Sequence, residues 1–391
     1  MTADLQQIRS DVPPREKIRI AIDGRPALWP RTGIGTIAHN VLKRIARFDP
    51  DNSYYFYFDR RPDCSELELG AARFRYGGPL QKLAWANTFL PIQFRRDHID
   101  VYLSFLDKEI PVFRGGTKYV SMVHDLIPLL FPDTVFRNLA HKLYYTGLLR
   151  ASTSLSDLVL TNSDHSKQAL VANLGLAPEK VRTIRLGAEE APHADPARIS
   201  EALGKYSIRR PYIFALGSTE PRKNNNSVIR AFQKVRGRFP QLQLAIAGRQ
   251  WRGRQFDCAL LDSQIVQTGF VADEDMPILF GAAEVFVFPS FHEGFGVPVI
   301  EAMAQGVPVI TSNVSALPEV AGDAALLCDP ASVESIAAAM EQILKDCDLA
   351  ECLRDRGIRR AKTFQWDNTC TDIVAVCSQV AAAHVAAGGE Q

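Results

Sequence analysis

Residues 288–303 read FPSFHEGFGVPVIEAM, and this stretch is the most informative part of the sequence about the fold. It follows the apolar run 285–289, which predicts a buried strand, and its second half, 297–304, predicts a helix. Gly294 and Gly296 lie between them, where glycine permits tight turns and close approach of a ligand to the backbone. We therefore expect a strand, a glycine turn and a helix whose N-terminus faces a ligand.

Two carboxylates flank this predicted turn. The backbone N–H groups of Gly294, Phe295 and Gly296, together with the helix dipole, favour an anion. Glu293 lies in the turn and Glu301 on the helix, and a carboxylate accepts hydrogen bonds from neighbouring hydroxyls of a ribose or a sugar. A single Glu is ordinarily a solvated surface charge. Two of them in the order Glu-Gly-x-Gly-x-Pro-x-x-Glu are more specific, and the pattern fits a nucleotide-sugar.

Predicted strands and helices alternate along the chain in two blocks. The first block begins with the strand-like segment 17–23 and the second with 212–215. Such alternation is typical of βαβ units and parallel sheets, and the stretch 189–210, rich in Ala, Pro and charge, separates the blocks. We predict an α/β protein with two Rossmann-like domains, 1–190 and 205–365, that face each other across a ligand-binding cleft.

A glycine segment near the N-terminus has the pattern of a dinucleotide fingerprint. Gly33 opens the match to G-x-G-x-x-A, but nine residues separate it from the first predicted strand, which ends at Asp23. The fingerprint requires its glycines directly after the strand, so this context excludes NAD binding. The backbone of Gly33 and Gly35 remains suited to an anion or a sugar, and a plain loop-to-helix transition is the alternative.

The chain resembles glycosyltransferase family 4, retaining enzymes of the GT-B fold. Glu293 and Glu301, with seven residues between them, match that family's E-x7-E motif. Three further segments resemble the family: the glycine loop 31–35, the His-Asp segment 123–128 and the basic loop 217–224. The resemblance covers essentially the whole chain. It implies that the chain crosses back near residues 364–367, so that a helix at about 367–386 completes the first domain.

The resemblance also implies a role for each matching residue. Arg222 and Lys223 are expected to neutralise the departing diphosphate, and a surface pair of basic residues beside a helix is the alternative. Glu301 is expected to bind the ribose, and Glu293, with the backbone from Gly294 to Gly296, the transferred sugar and distal phosphate. His124 is expected near the reacting sugar, and a hydrogen-bonded histidine at a strand end is the alternative.

The sequence departs from the family at one position. Some members have Arg directly after the glycine of the first strand of the second domain, and this chain has Ser218 there. Phosphate binding is therefore expected to depend mainly on Arg222 and Lys223.

The resemblance implies that a sugar leaves its nucleoside diphosphate and that the acceptor hydroxyl attacks from the same face. The run 311–325 is most similar to bacterial mannosyltransferases of surface-polysaccharide assembly, so we expect GDP-mannose as donor and a polyprenyl-diphosphate-linked oligosaccharide as acceptor. A UDP- or ADP-sugar is an alternative donor. A nucleotide-sugar epimerase and a non-catalytic GT-B scaffold subunit are the alternative functions.

An Asp-x-Asp triplet at the end of a strand is one way in which a metal-dependent transferase holds its metal. The chain has three such triplets, beginning at Asp49, Asp273 and Asp346, and none lies beside the motif residues in sequence. Solvated carboxylates are therefore the favoured interpretation, and we predict no cofactor and no metal requirement.

Composition excludes several other classes of protein. The net charge of the 391 residues is +1, whereas dedicated nucleic-acid binders are strongly basic. Residues 1–200 have 27 basic and 22 acidic side chains, and the remainder has 18 and 22, so only the first half is mildly basic. The polar N-terminus is not typical of a signal peptide, and no apolar run reaches the ~20 residues of a membrane span.

These features predict a cytoplasmic protein that makes peripheral contact with the inner face of the cell membrane. Two segments, 85–96 and 136–150, combine aromatic with basic residues that suit an anionic lipid surface. An ordinary packed helix with a solvated face is the alternative for each segment.

Overall fold

The computed structural model describes residues 17–29, 33–62, 72–77, 84–136, 138–189, 194–250, 253 and 255–388. Within these residues the strands form two parallel β-sheets, of seven and six strands. Helices alternate with the strands along the chain. The α/β class and the two Rossmann-like domains predicted from the sequence are therefore confirmed.

The seven-stranded sheet has the order β3-β2-β1-β4-β5-β6-β7. Its central strands are buried along nearly their whole length, as expected for parallel sheets that helices cover on both faces. In chain order its strands are β1 (Arg19–Asp23), β2 (Ser53–Phe58), β3 (Arg73–Tyr76), β4 (Val101–Ser104), β5 (Lys118–Met122), β6 (Leu158–Thr161) and β7 (Val181–Thr183).

The six-stranded sheet has the order β10-β9-β8-β11-β12-β13. The strand order reverses at β8, whose two neighbours are β9 and β11. Ligands of open parallel sheets bind at such a switch point, outside the carboxyl ends of the strands. In chain order its strands are β8 (Tyr212–Leu216), β9 (Gln243–Ala247), β10 (Ile265–Gly269), β11 (Val285–Phe288), β12 (Val309–Ser312) and β13 (Ala325–Cys328).

The α-helices of the first half vary from single turns to 17 residues. They are α1 (Ile34–Phe48), α2 (Leu90–Asp97), α3 (Ile127–Leu130), α4 (Pro132–Val135), α5 (Leu139–Leu155) and α6 (Asp164–Leu174). A π-helix, Trp85–Phe89, precedes α2. The helices of the second half are α7 (Pro196–Lys205), α8 (Asn225–Val235), α9 (Met276–Gly281), α10 (Val297–Ala304), α11 (Leu317–Ala321), α12 (Val333–Lys345), α13 (Cys347–Ala361) and α14 (Trp366–Gly388).

The described residues divide into two compact units. The first contains the residues up to Val123, Leu143–Leu160 and the residues from Cys370, and the second contains His124–Lys142 and Thr161–Thr369. The domain boundaries expected from the sequence, 1–190 and 205–365, stay a prediction. Among the described residues, no helix is long and apolar enough to cross a membrane.

Candidate functional site

The candidate site is built on the turn between β11 and α10, in the second compact unit. Gly296 is the N-cap of α10 and has φ +112°, a conformation that glycine adopts without strain. A Cβ atom added there would lie 2.7 Å from Leu317 Cδ2. Gly296 is therefore required both by the backbone angle and by the close packing of α11 against the turn.

Three charged side chains meet at this turn. The Glu293 Oε1 atom accepts a hydrogen bond of 2.7 Å from Lys223 Nζ and lies 3.0 Å from Arg222 Nη1. All three side chains are at most 19% exposed. The basic pair follows β8 and Glu293 follows β11, so two neighbouring strands deliver the three groups to one edge of the sheet.

Arg222 is held from several directions. Its Nε and Nη2 atoms each donate a bond of 3.1 Å to one oxygen of Glu220, which makes a bidentate ion pair. Its Nη1 atom also donates to the carbonyl oxygen of His292, and its own carbonyl accepts from Phe291 N at 2.9 Å. Arg222 is thus a rigid link between the loop after β8 and the turn after β11.

Opposite charges within this cluster shift the pKa of Glu293 and the pKa of Arg222. Burial opposes ionisation of Glu293, but Lys223 and Arg222 outweigh burial and lower the pKa of the Glu293 carboxyl. Burial likewise opposes the charge of Arg222, and Glu293 with Glu220 raise the pKa of its guanidinium. Both shifts favour the charged form of the group concerned, Glu293 in one case and Arg222 in the other. Two cations and two carboxylates balance, and an incoming anion would compete with the carboxylates for the cations.

Glu301 has a different environment. It lies on α10, and burial, reinforced by Glu189 and Asp273, raises the pKa of its carboxyl to about 7. A group with that pKa exchanges its proton near neutrality, so it can donate as well as accept hydrogen bonds. Such a perturbed carboxyl is a frequent sign of a functional position.

The His-Asp segment lies directly against the turn. A Cβ atom added to Gly294 would lie 2.5 Å from the carbonyl oxygen of His124 and 2.9 Å from Asp125 Cβ, so only glycine fits. The Asp125 Oδ1 atom accepts a bond of 2.8 Å from Ile127 N, which caps the turn before α3. The structure thus places the main chain of His124 beside the Glu293 turn, and the Asp125 side chain caps the following turn.

The remaining predicted residues have the following positions. Gly33 is the N-cap of α1 with φ +53°, and the buried Gly35 is in the same helix; both belong to the first compact unit, whereas the other predicted site residues belong to the second. The Phe295 ring is buried against Phe364, with 5.8 Å between ring centroids, so its backbone is the part available to a ligand. Arg31, in the resembling glycine loop, lies outside the described residues.

Sequence reasoning missed three contributors to this site. Glu220 pairs with Arg222, and its position two residues before that arginine is the sequence feature that could have indicated the pair. His292 precedes Glu293 and is buried between Phe131 and His165; burial lowers the pKa of its imidazole to about 4, so the ring is neutral. Ser163 bonds Gly294 across 131 positions, which no local pattern reveals.

A cavity of about 340 Å³ opens near the carboxyl ends of β9 and β10. The guanidinium of Arg249 lies over the ring of Phe270, 4.4 Å from its centroid, and Thr219 and Gln267 also line the space. Its volume is within the ~300–1,000 Å³ of ordinary ligand pockets. A flat group would find an aromatic face, a cation and amide groups there.

In each of the three Asp-x-Asp triplets, one Asp caps a helix or forms an ion pair. Asp49 and Asp346 flank helices, as C-cap and N-cap respectively, and Asp275 is ion-paired with Lys205 at 2.6 Å. Within the ranges described above, no group of three or more His, Cys, Asp or Glu side chains is placed to hold a metal ion.

Residues 200–360 match the family model described as glycosyl transferases group 1. The chain is 36% identical over 245 residues to O-antigen chain mannosyltransferase B of Escherichia coli, covering 59% of this chain and 63% of that protein. It is 30% identical over 289 residues to the serotype-specific mannosyltransferase WbdA of Escherichia coli, covering 71% of this chain and 35% of that protein. The chain therefore spans less than two thirds of the length of these relatives.

Solved structures match over nearly the whole chain. Sucrose-phosphate synthase from Thermosynechococcus elongatus superposes with a TM-score of 0.72 at 18% identity, covering 94% of this chain and all of that one. Anabaena Alr3699/HepE in complex with UDP-glucose gives 0.72 at 17% identity, covering 93% of this chain and 100% of that one. The chain thus has the two Rossmann-like domains of GT-B proteins and resembles bacterial mannosyltransferases of that group.

Proposed function

We propose that this protein is a retaining glycosyltransferase that moves mannose from GDP-mannose to a polyprenyl-diphosphate-linked oligosaccharide in bacterial surface-polysaccharide synthesis. The single observation that carries the transferase assignment is the cluster of Lys223, Arg222 and Glu293 at the N-terminus of α10. The mannosyltransferases among the relatives support mannose as the sugar. Membership of glycosyltransferase family 4 in particular is part of this proposal.

The diphosphate of the donor is proposed to bind Lys223 and Arg222. Positive charge that meets charge developing on a leaving group is usually the largest single contribution to catalysis. Because Glu293 already holds both cations in place, little reorganisation is needed when the donor enters. The backbone N–H groups of the turn Gly294–Gly296 then contribute further donors to the distal phosphate and the sugar.

The nucleoside is proposed to extend from the diphosphate toward Glu301 and the cavity at Arg249. Glu301 bonds the ribose hydroxyls, and the base lies against Phe270. The acceptor hydroxyl attacks the anomeric carbon from the face that the diphosphate leaves, and its proton passes to that departing phosphate. Configuration is thereby retained, with His124 proposed to contact the reacting sugar and Gly33 and Gly35 to approach the donor through their main chain.

The acceptor is proposed to reach the protein at the cytoplasmic face of the membrane. Helix α5 contains no Asp or Glu, and three of its apolar side chains, Leu139, Leu143 and Tyr144, are 58–69% exposed. With Lys142 and Arg150 on the same helix, this composition suits an anionic lipid surface.

The experiment that tests the function supplies GDP-mannose, UDP-glucose or ADP-glucose together with a polyprenyl-diphosphate-linked oligosaccharide. We expect GDP release that depends on the acceptor and a product in which the anomeric configuration is retained. Selective turnover of a UDP- or ADP-sugar would replace the donor assignment. Conversion of donor without acceptor would indicate an epimerase, and nucleotide binding without turnover of any donor would indicate a scaffold subunit.

The proposal includes turnover without a metal ion, because Lys223 and Arg222 provide the positive charge that a metal would otherwise supply to the diphosphate. Transfer activity measured in EDTA is expected to equal the activity in Mg²⁺ or Mn²⁺. An absolute requirement for either ion would contradict this part of the proposal.

A further inference from the structure

The first turn of α6 holds the turn that contains Glu293. Ser163 is the N-cap of α6, and its Oγ atom donates a hydrogen bond of 2.6 Å to the carbonyl oxygen of Gly294. The Ser166 Oγ atom lies 3.2 Å from the same oxygen. Both serines are at most 3% exposed. Two buried hydroxyls therefore converge on one carbonyl, which belongs to the peptide between Gly294 and Phe295.

The Ser163 hydroxyl forms hydrogen bonds with two different segments of the chain. It accepts a bond of 3.0 Å from Ser166 N, which is the capping bond of α6, and its single proton goes to Gly294. Ser166 also approaches the carbonyl of His124 at 3.5 Å. The helix N-terminus, the His-Asp segment and the Glu293 turn are thus joined at one point.

Ring contacts support the same turn from the other side of Glu293. The His292 ring lies 5.3 Å from that of His165, which belongs to α6, and 5.7 Å from that of Phe131. Glu293 is therefore flanked by two residues, His292 and Gly294, that each contact the first turn of α6. The Glu293 carboxylate itself is bound by Lys223. Among the described residues it has no hydrogen bond to the first turn of α6.

We propose that Ser163 and Ser166 are positioning residues, which orient the Gly294 peptide and thereby the N–H groups that receive the sugar and the distal phosphate. This inference rests on the proposed function, since it assigns those groups to the donor. Geometry errors of about 1 Å at a catalytic group cost up to about 100-fold in rate. Loss of these hydroxyls should accordingly lower kcat more than the affinity for GDP, because Lys223 and Arg222 remain in place to bind the diphosphate.

The test compares Ser163→Ala and Ser163→Gly with Ser332→Ala. Ser332 is the N-cap of α12 and accepts from Ser335 N at 3.1 Å, so its loss costs a similar capping bond away from the Glu293 turn. Glycine caps a helix nearly as well as serine but donates no side-chain bond. We expect kcat to fall about tenfold in both Ser163 variants, the value of one hydrogen bond, while Ser332→Ala keeps the native kcat.

A second readout does not depend on activity. Amide hydrogen exchange in the peptide 291–297 should become faster in both Ser163 variants and stay native in Ser332→Ala. Equal kcat and equal exchange in Ser163→Gly and Ser332→Ala would overturn the inference. If the native protein transfers no sugar at all, the proposed function fails, and the exchange measurement alone then decides whether the serines hold the turn.

Discussion

The two carboxylates of the motif differ in state although only seven residues separate them. Glu293, in the turn, is bound by Lys223 and Arg222, and they lower the pKa of its carboxyl. Glu301, on α10, is half-buried near Glu189 and Asp273, and the pKa of its carboxyl rises to about 7. One motif thus contains two carboxyl groups of different character: a charge held between two cations, and a carboxyl whose protonation depends on pH.

Removal of a cation that binds Glu293 should reduce activity most strongly. Lys223→Ala removes a cation from the proposed diphosphate site, and we expect turnover to fall about 100- to 1,000-fold, as for other groups that stabilise developing charge. Steady-state kinetics with the identified donor measures this. Lys234→Ala is the matched control, since Lys234 is 54% exposed and pairs with Glu334 on the surface. Equal turnover in the two variants would show that Lys223 is not part of the site.

A second change tests how closely the turn is packed. Gly294→Ala places a methyl group 2.5 Å from the His124 carbonyl oxygen, so the segment must move. We expect the free energy of unfolding to fall by about 1–3 kcal/mol, as for other overpacked sites. Gly147→Ala is the control, because an added Cβ there meets nothing within 4 Å and alanine favours a helix by about 0.5–1 kcal/mol. Denaturant unfolding of both variants gives the comparison, and an unchanged stability of Gly294→Ala would refute the packing.

Ionisation of Glu301, on α10, should change the affinity for GDP more modestly. The pKa of Glu301 is near 7, so the carboxylate that best accepts from ribose hydroxyls forms as the pH rises from 6 to 8. GDP affinity should increase up to about tenfold over that interval in the native protein and stay flat in Glu301→Gln. Calorimetric titration at each pH measures this. A native affinity that does not change with pH, or an equal change in the variant, would contradict the role of Glu301.

The raised pKa of Glu301 also makes the free energy of unfolding depend on pH. Between about pH 4.5 and 7 the folded protein keeps a proton on Glu301 that the unfolded chain has lost. The free energy of unfolding should therefore fall as the pH rises through this window, and Glu301→Gln should reduce that fall. A steeper fall in the variant would contradict the raised pKa.

Much of the fold could be predicted because the strands of both sheets are apolar and bounded by turn residues. The helix predicted at 297–304 has those bounds in the structure, and the strand predicted at 212–215 extends by one residue. Short strands were missed: Arg73–Tyr76 alternates charged and aromatic residues at an edge, and Val181–Thr183 has only three residues. The α-helix Asn225–Val235 continues directly into the 3-10 turn Arg236–Arg238.

The site could be predicted only as far as residue types and local spacing determine it. The motif indicated Glu293 and Glu301 as carboxylates near a helix N-terminus. Their opposite pKa shifts depend on partners such as Lys223, 70 positions from Glu293, and on burial, which only the folded chain defines. The contact of Ser163 with Gly294 depends in the same way on tertiary structure.

Calorimetric titration of GDP, UDP and ADP directly tests the proposal that the turn at Glu293 binds the diphosphate of a guanine nucleotide-sugar. The native protein should bind GDP at least about tenfold more tightly than the other two, a difference of about 1.4 kcal/mol. Lys223→Ala should lose most of that affinity, and Lys234→Ala should keep it. GDP binding of equal strength in native protein and Lys223→Ala, or no binding of any nucleotide, would contradict the account.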